Sequence, residues 1–224
     1  MLQNVNNTFT KKTFSLLVSM MLCTTLFSQT VLFEPSEKYI GASYGINNSM
    51  VMFDPSVEQN MVFLGTSSGI AFRYITENHA GLQIELKYSQ RGWNEASGEY
   101  TRRINYLELP FLTHIYWGNN HRFIVNLGPK FSYLLNESVV KNTIENSTSE
   151  QHLKNAHSPF EYGAAVGLGY NLHTKNAGVF EIEARGYYGL SNIFADSKSD
   201  YFASSNFLNV SVNLAWYLQL TGRK

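Results

Sequence analysis

Residues 81–117 read GLQIELKYSQRGWNEASGEYTRRINYLELPFLTHIYW, and their alternation suits only an extended chain. Leu82, Ile84, Leu86 and Tyr88 fall on one face, and Gln83, Glu85, Lys87 and Ser89 fall on the other. A period of two means a strand with one apolar and one polar side. NEASGE then supplies turn residues. Beyond it Leu107, Leu109, Phe111, Ile115 and Trp117 share a face opposite Tyr106, Glu108 and His114. The stretch predicts a long β-hairpin whose polar side carries both signs of charge.

The same pattern recurs along the chain. Strands are predicted near Lys38–Gly45, Val62–Ile75, His121–Leu135, Phe160–His173, Gly178–Ser191 and Asn206–Leu220, which with the hairpin makes eight. The last is the cleanest, with Leu208, Val210, Val212, Leu214, Trp216, Leu218 and Leu220 all on one face. Connections alternate in length. Ile46–Met61, Asn136–Pro159 and Asn192–Ser205 read as long loops, and Asn136–Pro159 as the main exposed, mobile one. Thr76–Ala80, Gly118–Asn120 and Thr174–Ala177 are short. An even strand number with alternating short turns and long loops is the pattern of outer-membrane barrels. The predicted fold is all-β: an eight-stranded antiparallel up-and-down transmembrane β-barrel. Trp93 and Tyr188 are expected at its outer rim, and Tyr74, Trp117, Tyr170 and Trp216 at its inner rim, as two aromatic belts.

The N-terminus predicts export. Lys11 and Lys12 precede an apolar run, Phe14–Phe27, too short to span a bilayer as a helix, and a cleavage point is plausible after Ser28. Residues 1–28 are therefore expected to be a signal peptide, and residues 29–224 the barrel domain. Cleavage removes Cys23, the one cysteine, and leaves 15 basic against 17 acidic residues, a net charge of −2. No basic run offers a nucleic-acid surface.

An eight-stranded barrel encloses only enough space for side chains. Candidate function therefore lies on the inward face. The predicted lumen network comprises Arg73, Lys87, Arg122, Lys130 and Arg185 against Glu85, Glu108, Glu161, Glu181 and Glu183. Five charges of each sign argue for a plug of ion pairs, because a selective pore would carry an excess of one sign. Tyr39, Tyr106, Tyr187 and Tyr217 add bulk. Gly163, Ala165, Gly167 and Gly169 leave room for large residues on the next strand. Glu181 and Glu183 share a face as an acid/base pair could, but lumen ion pairing is the stronger expectation. His152 and His157, in a loop with Glu150, are expected to be solvated. No spacing predicts a metal, cofactor or catalytic site.

The segments LQIELKYSQRGW, YLELPFL and NLGPKFSYLL resemble the outer-membrane β-barrel family of Bacteroidetes, the PorT-like porins. That resemblance implies an integral outer-membrane protein in contact with lipid. The expected role is structural, or one of loop-mediated contact with other envelope proteins. The alternatives are a PorT-like transport or secretion component and an outer-membrane enzyme acting at the rim.

Overall fold

The computed structural model describes residues 36–60, 63–144, 149–196 and 200–221. The expected signal peptide lies outside the described residues. Among those described there are nine strands: β1 (Glu37–Asp54), β2 (Gln59–Asn60), β3 (Phe63–Glu77), β4 (Ala80–Glu95), β5 (Tyr100–Gly118), β6 (His121–Asn142), β7 (Phe160–Thr174), β8 (Gly178–Gly189) and β9 (Ser204–Thr221). One helical turn, α1 (Glu150–Leu153), lies between β6 and β7.

Eight long strands close into a ring. Each pairs antiparallel with its sequence neighbour, and β1 pairs with β9 from Asp54↔Ser204 down to Lys38↔Thr221. Closure removes both sheet edges, which would otherwise expose unpaired backbone groups. The two-residue β2 is an addition on the far end of β4. One end of the ring carries the first and last strand termini and three short turns. At one of them Gly118 takes φ +112°, a left-handed conformation that a side chain would strain. At another, Trp216 Nε1 donates to Ala177 O at 2.7 Å. The other end carries the longer connections.

Alternation places the apolar residues outside. Ile70, Phe123, Leu168, Val212 and Leu214 are 52–69% exposed. The polar residues Gln83, Glu85, Lys87 and Ser89 are all buried inside. This is an inverted protein, polar within and apolar without.

Three expectations change. The expected loop Ile46–Met61 is largely strand, because β1 runs on to Asp54. Asn47 and Ser49 look like loop residues by composition, yet both face inward. Asn47 Nδ2 donates to Ser89 Oγ at 2.9 Å, and Ser49 Oγ donates to Gly92 O at 2.9 Å. Likewise β6 continues past Leu135 to Asn142, pairing with the start of β5. At ~3.3 Å per residue and a tilt of ~40°, its 22 residues rise ~55 Å, about twice the ~25 Å apolar band of such barrels. Finally, Trp93 does not join an outer belt. It is fully buried, facing inward against Phe53 and Phe194.

Candidate functional site

The interior is built in layers. In its middle lie ten charged side chains, drawn from β3 to β8. They form two groups, each with equal numbers of cations and anions.

The first group holds Arg73, Lys87 and Arg185 with Glu85, Glu181 and Glu183. Arg73 Nη2 meets Glu181 Oε2 at 2.5 Å, and its Nε donates to Gln83 Oε1 at 2.7 Å. Turned to satisfy both neighbours, the Asn171 amide donates to Glu181 and accepts from Arg73. Gln83 in turn donates to Glu85 Oε1 at 2.5 Å. Arg185 grips Glu85 with two parallel bonds, 2.8 and 2.6 Å, and Glu183 with two more, 3.0 and 2.8 Å. Bidentate geometry of this kind is the strong form of the arginine–carboxylate pair. Lys87 donates to Asn213 Oδ1 at 2.8 Å and stands 4.0 Å from Glu85. Glu181 and Glu183, two residues apart on the inward face of β8, are thus each committed to a different arginine.

The second group holds Arg91 and Lys130 with Glu108 and Glu161. Arg91 Nη1 donates to Glu161 Oε1 at 2.8 Å, and its Nε lies 3.2 Å from Glu108 Oε1. Lys130 Nζ donates to the same Glu108 oxygen at 2.9 Å, and Tyr187 OH donates to Glu161 Oε1 at 2.6 Å. Rings enclose the cations. Arg91 lies 4.1 Å from the Tyr106 ring centre and 4.8 Å from Phe207, and Lys130 lies 3.6 Å from Tyr187. Such contacts strengthen when water is excluded.

Nine of the ten residues named from the sequence lie in these two groups. Arg122 does not. It sits at the short-turn end, 3.6 Å from Glu37 and 4.3 Å from the Tyr116 ring. Its place in the balance is taken by Arg91, fully buried and missed by the sequence reading. The signal was available: Arg91 continues the inward series Gln83, Glu85, Lys87, Ser89 along β4.

Glycine spacing makes the packing possible. A Cβ at Gly167 would collide with the Glu183 carboxylate, and one at Gly163 would lie 2.8 Å from Tyr187 OH. Both glycines lie on β7, beside the large inward residues of β8.

Apolar layers close the two ends. Toward the short turns, Tyr39, Ile75, Tyr116, Ile124, Val179 and Tyr217 pack together. Toward the long connections, Phe53, Trp93, Tyr100, Phe194, Phe202 and Phe207 form an aromatic cap. Phe194 and Phe202 come from the β8–β9 connection, which folds into the mouth. The β6–β7 connection is pinned there as well. Arg102 Nη1 donates to Gln151 O at 3.0 Å and Lys154 O at 2.7 Å, while Arg102 Nη2 meets Glu137 at 2.7 Å. His152, expected in solvent, stacks on Tyr100 and meets Glu95 Oε1 through Nε2 at 2.7 Å. Among the described residues, no three His, Cys, Asp or Glu side chains converge as metal ligands.

A family profile described as outer membrane protein beta-barrel domain matches residues 27–195, three quarters of the chain. The chain belongs to that family. It is accordingly an outer-membrane protein. Solved structures of similar fold include Ail, the attachment invasion locus protein of Yersinia pestis. It is 12% identical, at a TM-score of 0.44, over 82% of this chain and 99% of that chain. OprG of Pseudomonas aeruginosa is 11% identical, at a TM-score of 0.48, over 83% and 97%. Neisserial surface protein A is 12% identical, at a TM-score of 0.44, over 82% and 99%. No curated protein sequence matches the barrel.

Proposed function

We propose that this small barrel is a non-conducting, non-enzymatic component of the outer membrane, which works by displaying its folded extracellular end to other envelope proteins. One observation carries the reading: the middle of the lumen is occupied by ten buried, mutually paired charged side chains. Side chains of the ten network residues are at most 8% exposed in the ion pairs they form. Opposite charges are matched within each group, so neither an anion nor a cation meets a favourable path. The aromatic cap stacks above them. The carboxylates that could act as acid or base are each held by a cation, which leaves little freedom for proton transfer.

The test is reconstitution of the purified barrel into a planar bilayer. Absence of stable conductance steps is expected. Large ohmic channels from wild-type monomer would overturn the plugged lumen. The YLELPFL and NLGPKFSYLL segments favour a second reading, a PorT-like part of a secretion assembly. Affinity purification from detergent-solubilised outer membrane distinguishes the two. A stoichiometric set of secretion proteins supports the second, and a lone barrel or a different envelope partner supports the first.

A further inference from the structure

The outward face of β4, β5 and β6 changes character abruptly near the extracellular end. Successive cross-strand rows can be read from the register. Tyr88, Leu107 and Tyr133 form one row, and Gln90, Asn105 and Asn136 form the next. Gly92, Arg103 and Ser138 follow, then Asn94, Thr101 and Lys141. The first row is lipid-facing, 39–44% exposed. The second is three amides, of which Asn105 is buried and donates to Asn136, leaving Gln90 and Asn136 to face outward. The third and fourth each carry one cation.

Rows two residues apart lie ~6.7 Å apart along a strand, or ~5 Å in height at a tilt of ~40°. The amide row therefore stands ~5 Å and the Arg103 row ~10 Å above the last aromatic row. With the Tyr88–Leu107–Tyr133 row taken as the edge of the apolar band, that is headgroup depth. Arg103 points outward, since Arg102 and Ile104 on either side are buried within. It forms no ion pair among the described residues, and its Nε has no hydrogen-bond partner. Gly92 beside it offers no side chain to cover it. Lys141 lies one row above on the neighbouring strand and, among the described residues, donates to Gly98 O at 2.5 Å. An arginine with donors to spare, next to a row of amides and directly above lipid-facing tyrosines, matches a headgroup that carries both hydroxyls and a phosphate.

We propose that this face binds a phosphorylated glycolipid of the outer leaflet. Arg103 takes the phosphate, Lys141 adds charge, and Gln90 and the exposed Asn136, held by buried Asn105, meet the sugar. The acyl chains lie over Tyr88, Leu107 and Tyr133. Charge and continuity with the lipid-facing surface favour a lipid over a soluble anion.

The test uses the whole barrel in detergent micelles, titrated with bisphosphorylated lipid A and with the same lipid after phosphatase treatment. The heat-unfolding midpoint is the readout. The wild type should bind the phosphorylated form at least about tenfold more tightly, the loss expected for one charge-assisted contact. Arg103→Gln should erase that preference, and Lys141→Gln should weaken it, with lipid-free midpoints unchanged. Equal affinity for the two lipids in the wild type would overturn the proposal, whether or not the variants fold. So would an undiminished preference in Arg103→Gln. Phosphatidylglycerol binding as tightly as lipid A would overturn the assignment to a glycolipid.

Discussion

Arg91→Met should be among the most damaging single changes in the barrel. The methionine retains much of the volume but removes the cation. Glu161 then loses its ion pair and is left with hydroxyl partners, Tyr187 at 2.6 Å among them, while Glu108 keeps Lys130 at 2.9 Å. The bond from Arg91 to Ser132 Oγ, 3.2 Å, is also lost. Removing one partner of a buried pair costs about 3–5 kcal/mol, because the other charge is stranded in a low-dielectric setting. The lost ring contacts add to this, so the total should be ~4–5 kcal/mol. Adding Glu161→Gln removes the stranded charge. The double variant should therefore recover about 2 kcal/mol relative to the sum of the single changes. Urea unfolding of the refolded barrel in lipid vesicles, followed by tryptophan fluorescence, measures each corner of the cycle. A cost under about 1 kcal/mol for Arg91→Met, or strict additivity in the double variant, would refute the stranded-charge argument.

Arg185→Leu breaks four bonds to two carboxylates and should cost about 3–5 kcal/mol. Leu214→Val, on an outward-facing side chain 60% exposed, should cost under about 1 kcal/mol in the same unfolding assay. Gly167→Val should displace the Glu183 carboxylate from Arg185 and lower the temperature at which gel mobility shifts on heating, whereas Ala164→Val on the outward face should not. Arg102→Ala frees the segment around α1. Trypsin added to whole cells should then cut after Lys154 in the variant much faster than in the wild type, with every strand intact in both.

Strand alternation is a local property, so the faces were legible in the chain itself. Glu85 and Lys87 could be placed inward, and Leu208 to Leu220 outward, from neighbours two residues away. Even the inward tyrosines and the small residues of β7 followed from parity. Strand ends were less legible. Asn47 and Ser49 read as loop because turn and lumen draw on the same polar residues, and only a partner strand tells them apart. Which acid meets which base was beyond reach altogether. Arg73 finds Glu181 across 108 positions, and Arg185 finds Glu85 across 100. Those distances are set by ring closure and register, which no single strand encodes. The same closure puts Trp93 under the cap rather than in a belt, since parity at a strand end names a face but not what folds over it. It also sends Arg122 to Glu37, because height along the axis depends on how far each strand is staggered against the next.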